Sequence, residues 1–164
     1  MKRQILMGDN PLLRKTSALV QPEELSSDQL QNTIDGLFDS MEQADGLGLA
    51  APQVDIQKRF VIVVLDNQAR CLVNPQITQT SKERVLGEEG CLSFPGLFGQ
   101  VARYKSVTVS ALDRHGKSLS LALSDLNARV VQHELDHLDG ILLPDRLAEK
   151  VEPGLELQVA GRPL

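Results

Sequence analysis

Apolar residues recur at helical spacing in one early stretch. Leu30, Ile34, Leu37 and Met41 fall on a single face, which predicts an amphipathic helix between Ser26 or Ser27 and Ala44. Ser26 with Gln29 offers a capping box at its start, and Asp45-Gly46 stops it. The middle of the chain changes period. "RFVIVVLD" and "CLVNP" are short, β-rich apolar runs of the kind found in buried strands. From Val107 to Leu123 the alternation in "VTVSALDRHGKSLSLAL" predicts two strands around a turn at Arg114-His115-Gly116. A second helix opens at Ser124, a natural N-cap with Asp125 in the first turn, and closes near Gly140. Strands with one helix before and one after describe an α+β domain. The expected architecture is mostly antiparallel short sheets around a central helix, plus an N-terminal packing helix, in a single domain over residues 1–164.

Composition narrows this picture. At 164 residues the chain can bury a core without disulfides, and 41% hydrophobic with 24% charged residues is ordinary for a soluble domain. A net charge of −5 with scattered Lys and Arg argues against specific DNA binding, which needs clustered cations. The opening "MKRQILMGDNPLL" lacks the apolar run of a signal peptide, and Phe60–Leu65 is far too short to span a membrane. The expected address is therefore cytoplasmic. In a reducing compartment Cys71 and Cys91 stay unpaired. Cys71, at the start of a predicted strand, reads as a small core residue.

The chemistry concentrates in "QHELDHLDG". His133 and His137 lie four residues apart on one helical face and can aim their rings at one point, with Glu134 beside them. That is the H-E-x-x-H arrangement of metal-dependent hydrolysis, with the glutamate as general base. Two histidines leave a catalytic metal short of its usual third protein ligand. Cys91 in "GEEGCLSFPG" is the strongest remaining candidate, on what reads as a tight, irregular, glycine-bracketed turn. A third segment, "GLGLAAPQ" from Gly46 to Gln53, has small residues that let a substrate backbone approach, and Gln53 adds an amide donor. A phosphate loop is disfavoured there, because no strand precedes it and no Lys-Ser or Lys-Thr follows. His115 sits at a turn tip and reads as exposed and unliganded. Val130 and Leu126 lie three and seven residues before His133 and fit either an apolar substrate pocket or the core.

In order, "GLGLAAPQ", "EGCLS" and "QHELDHLDG" resemble the three signature motifs of the peptide deformylases, at similar separations. The segment "GDNPLLRKTSALV" also resembles the family's N-terminal region, so the likeness spans about Met7 to Asp145 and fits the bacterial type with a short tail. The resemblance implies metal ligands Cys91, His133 and His137, and Glu134 as the acid/base residue. It implies that the Gln53 side chain and the Leu92 backbone N–H polarise the substrate carbonyl. The implied metal is Fe(II), replaceable by Zn, Ni or Co. The implied reaction removes the formyl group from N-formyl-methionyl peptides as they are made, at or near the ribosome surface, by a monomer. The peptide would extend alongside Gly46 to Leu49, next to Gly48, with its methionine near Leu126 and Val130.

The chain departs from the family at Leu97-Phe98-Gly99, where some relatives place an arginine that contacts substrate. Pro153-Gly154 interrupts the tail, which predicts a short strand within Leu155–Val159 rather than a long helix. Two other functions compete. A zinc endopeptidase would take its third ligand from Glu149, Glu152 or Glu156, but it leaves "EGCLS" unexplained. A non-catalytic binding protein of the same fold is disfavoured because every expected catalytic residue is present.

Overall fold

The computed structural model describes residues 3–8, 10–149 and 156–158. Among the described residues, three α-helices and eight strands follow the order α1 (Asp28–Gln43), β1 (Gly48–Ala50), β2 (Phe60–Leu65), β3 (Gln68–Thr80), β4 (Arg84–Cys91), β5 (Phe94–Tyr104), β6 (Ser106–Leu112), β7 (Ser118–Ser124), α2 (Asp125–Leu138), α3 (Leu143–Ala148) and β8 (Glu156–Gln158). A five-stranded antiparallel sheet runs β1-β2-β3-β6-β7, and a three-stranded sheet runs β5-β4-β8 with β8 parallel to β4. The expected α+β class, with mostly antiparallel sheets about a central helix, is borne out. Of the predicted tail strand, Glu156–Gln158 is present, while Leu155 and Val159 lie outside the described residues.

The larger sheet is covered on both faces, which explains the unbroken apolar run of β2. Phe60 and Ile62 pack with Leu30, Ile34, Leu37 and Met41 of α1. Val61, Val63 and Leu65 pack with Ala128, Val130, Val131, Leu135 and Leu138 of α2. Adjacent residues of one strand thus feed two different cores, and neither face carries a polar side chain there. Cys71 joins the α1 side, 6% exposed, and burial pushes its thiol up to about 12. It behaves as the core residue its position suggested.

Helix ends differ from expectation in detail. The predicted Ser26–Gln29 capping box does not form. Ser27 is the N-cap, its Oγ accepting from Leu30 N at 3.2 Å while its hydroxyl donates to Glu24 O at 2.7 Å. The 3-10 turn at Pro22–Glu24 delivers that carbonyl and so selects Ser27. Ser124 does occupy the N-cap position of α2, where it is also the last residue of β7, but its side chain makes no capping hydrogen bond. Gly140 ends α2 as expected, at φ +72°. There Gly140 N donates to His137 O and Ile141 N to Asp136 O, satisfying two carbonyls of the final turn.

A further correction concerns Cys91. Its segment is not an irregular turn but the end of β4. A two-residue turn, Leu92-Ser93, leads into β5, with a register shift between Gly90 and Cys91. The segment at Gly46 is likewise more regular than its small residues suggest. It holds strand β1, at the edge of the large sheet, followed by a 3-10 turn at Ala51–Val54.

Candidate metal centre

Helix α2 is buried continuously from Ala128 to Leu138. An ordinary amphipathic helix would expose a polar stripe. Here that stripe faces inward, toward β1 and the β4–β5 hairpin, and it carries His133, Glu134 and His137. Cys91 arrives from β4, so three potential ligands converge from two elements. One ligand atom from each of Cys91, His133 and His137 lies within 4.8 Å of the others, and all three residues are buried. Cys91 Sγ stands 3.2 Å from His137 Nε2, and the two imidazoles meet edge-on with centroids 5.1 Å apart. A thiolate and two imidazoles suit a borderline-soft divalent metal, so the donor set fits such an ion.

Glu134 lies beside this cluster without joining it. Its Oε2 is buried with no hydrogen-bond partner among the described residues, as is His137 Nδ1. Burial raises its carboxyl to about 7, only partly offset by the charge of His133. Space for it comes from β1: a Cβ at Gly48 would collide with Glu134 Oε1, so only glycine lets that carboxylate lie against the strand. Gln53 is held on the opposite side. Its Oε1 accepts from Ala50 N at 2.8 Å, and its Nε2 donates to Ser93 Oγ at 3.1 Å and points to Cys91 Sγ at 3.7 Å. The amide is thus oriented by backbone and hydroxyl, with its donor end at the cluster.

The structure therefore gathers Cys91, His133, His137, Glu134 and Gln53, with Leu92 in the turn next to Cys91 and Gly48 on the adjoining strand. Leu49 contributes backbone only, since its side chain is fully buried on the α1 side. Val130 is 1% exposed and packed in the α2 core, whereas Leu126 is 37% exposed. His115 sits at the β6–β7 turn tip, exposed, as expected. Glu149 is also exposed and paired with Arg146, away from the cluster, and Glu152 lies outside the described residues.

Sequence reading missed the layer behind the ligands. Glu89 is fully buried, and its Oε2 accepts from His133 Nδ1 at 2.9 Å. Arg103 grips both oxygens of Glu89 at 2.9 Å and donates to Asp136 Oδ2 at 2.6 Å. Arg146 of α3 then pairs with Asp136. Burial alone would raise the Glu89 carboxyl, but the Arg103 guanidinium and the His133 hydrogen bond hold it well below the usual range. A carboxylate on the far nitrogen of a histidine fixes ring and tautomer, leaving Nε2 to face the cluster. The one available signal was position: Glu89 stands two residues before Cys91, on the same side of β4.

Comparisons with known proteins give the family and the fold. A sequence profile of the polypeptide deformylase family matches residues 2–152. A peptide deformylase of Syntrophomonas wolfei subsp. wolfei is 43% identical over 146 residues, covering 89% of this chain and 93% of its own. A Met-Ala-Ser-bound crystal structure of the class I type b peptide deformylase from Acinetobacter baumannii superposes with a TM-score of 0.86 at 37% identity, over 89% of this chain and 98% of that one. The peptide deformylase from Thermotoga maritima gives 0.86 at 36% identity, over 91% and 99%. Motifs, fold and relatives point the same way: the chain belongs to the polypeptide deformylase family, a family of metal-dependent hydrolases, and its activity is deformylation.

Proposed function

We propose that the chain, as one domain over residues 1–164, hydrolyses the formyl group from N-formyl-methionyl peptides at a metal held by Cys91, His133 and His137. The observation that carries this reading is a buried carboxylate, Glu134, whose Oε2 has no hydrogen-bond partner among the described residues and which is set between that donor cluster and the edge strand β1. When bound, the divalent metal supplies Lewis-acid activation of a water. Glu134 accepts the proton of that water as its oxygen bonds to the formyl carbon. The Gln53 amide and the Leu92 N–H donate to the formyl oxygen as it takes up negative charge. Glu134 then returns its proton to the amine nitrogen as the C–N bond breaks, and formate leaves with the free peptide. Ground-state pairing of Gln53 with Ser93 Oγ and Ala50 N keeps its donor in place without reorganisation during the reaction.

The peptide extends beside Gly46 to Leu49, where β1 has a partner on one side only, and adds a strand through main-chain hydrogen bonds. Its methionine side chain reaches the half-exposed Leu126, with Val130 beneath. The Met-Ala-Ser peptide bound by the Acinetobacter relative supports a methionine-first ligand. Fe(II) is the metal in the cell, with Zn, Ni or Co as substitutes. The protein acts as a cytoplasmic monomer on nascent chains at the ribosome surface. No helix among the described residues is long and apolar enough to cross a membrane.

The test is formate release from a formyl-methionyl peptide by anaerobically purified protein, with bound metal quantified on the same sample. Stoichiometric metal and rapid formate release are expected. A metal-loaded protein that leaves formyl peptide intact would refute the reading.

A further inference from the structure

Arg129 stands four residues before His133, on the stripe of α2 that carries both histidines. It is a charged residue only 1% exposed. Its guanidinium leaves the helix toward the second sheet. Nη1 donates to Val101 O at 2.9 Å and Glu89 Oε1 at 2.8 Å, and Nη2 donates to Val85 O at 3.0 Å. Gly87 makes the seat: a Cβ there would lie 2.7 Å from the guanidinium carbon. Backbone carbonyls of β4 and β5 thus fix a planar fork against the strand that ends in Cys91.

Burying a guanidinium is costly unless its N–H groups are paired and its charge is matched. Arg103 alone already supplies Glu89 with two hydrogen bonds and a countercharge. A second buried arginine on the same carboxylate is therefore surplus to neutralising it. What Arg129 adds is geometric. It reaches Glu89 from α2, the helix that carries His133, while Arg103 reaches it from β5. Oε1 accepts from both cations, while Oε2 accepts from Arg103 Nη2 and His133 Nδ1, so the carboxylate is held from two elements with Oε2 toward the histidine.

We propose that Arg129 is a positioning residue for the metal centre, acting through Glu89: anchored over Gly87, it fixes the carboxylate that orients the His133 ring, so the ligand atoms are preset before a cation arrives. This rests on the reading of Cys91, His133 and His137 as ligands.

The experiment titrates Co(II) into metal-free protein under anaerobic conditions, following the thiolate-to-cobalt absorption band and measuring affinity by chelator competition. The parent should bind one Co(II) with that band. Its absence would overturn the ligand assignment and this inference with it. Arg129→Met, checked for fold by circular dichroism, should weaken Co(II) about 10–100-fold, the usual cost of losing an outer-shell partner. Arg129→Lys should recover only part, because an ammonium cannot fork. Gly87→Ala keeps the charge but removes its seat, and should weaken Co(II) in the same direction even where Arg129→Met does not fold. Arg129→Met combined with Glu89→Gln should bind little more weakly than Glu89→Gln alone. Unchanged Co(II) affinity in a folded Arg129→Met or Gly87→Ala variant, or additive losses in the double variant, overturns the proposal while leaving the ligand assignment standing.

Discussion

Glu134 carries both a chemical and a thermodynamic consequence. Glu134→Gln keeps the shape of the side chain but cannot accept a proton. Turnover should fall at least ~10²–10⁴-fold while metal content stays at the parental level, since Cys91, His133 and His137 are untouched. Formate release and bound metal measured on one sample check this. The carboxyl is also raised from 4.5 to about 7 by burial. In the metal-free protein the folded state therefore holds this proton more tightly than the unfolded chain does. The associated stability is complete below pH about 4.5 and is lost as pH climbs to about 7, a loss of about 3 kcal/mol. Urea unfolding of metal-free parent and Glu134→Gln should diverge across that window and run parallel above it. A constant difference at all pH values would mean that the carboxyl titrates normally. The grouping of the candidate site residues was largely legible in the sequence, because H-E-x-x-H compresses three of them into one turn. Glu89, Arg103 and Arg129 were not, since they meet only after β4, β5 and α2 pack together.

At the scale of elements, period decided legibility. The stripe of α1 was readable because one face is apolar and the other polar, and all four marked residues are buried. Ile34 is fully buried against β2, so Ile34→Ala should cost about 2–5 kcal/mol without altering metal affinity. Denaturant unfolding and Co(II) titration separate those effects. A loss of metal binding in folded Ile34→Ala would tie α1 to the site, contrary to its place across the sheet. Strand β1 escaped prediction because it is three residues of Gly, Leu and Ala, without β-branched side chains. The β4–β5 hairpin was mistaken for a turn for a related reason. Its glycines at 87, 90, 96 and 99 serve close approach and turning, and they mask strand propensity.

Across the whole molecule, the site is a seam. Two of the proposed ligands belong to the helix under the five-stranded sheet, and the third belongs to the smaller sheet. A cation there joins the two bodies as well as the three residues. Metal should therefore stabilise the whole domain by about 2.7 kcal/mol at a hundredfold excess over Kd, raising its melting temperature in one cooperative transition. Cys91→Ser should lose most of that gain with little change in the metal-free melt. Calorimetry with and without Co(II) tests it, and a metal-induced shift confined to a separate, partial transition would contradict the seam. The α+β class was legible from alternating periods, but the division into two sheets was not. It depends on β4 and β5 pairing with each other and, among the described residues, with no strand of the larger sheet, a choice of partners that strand periodicity does not encode.

The unbroken burial of α2 constrains how this protein can change over generations. Its reactive groups and its buried run occupy the same eleven residues, Ala128–Leu138, so nearly every substitution there is judged for shape before it is judged for chemistry. New substrate preferences must then arise outside that run, on the half-exposed rim at Leu126 and Phe98, where a side chain can vary without opening the core. A saturation library selected only for folding should already be depleted across Ala128–Leu138, and a further selection for deformylation should add losses mainly at His133, Glu134 and His137. Broad tolerance along that helix under the folding selection would show that heritable variation is freer at the centre than its burial allows.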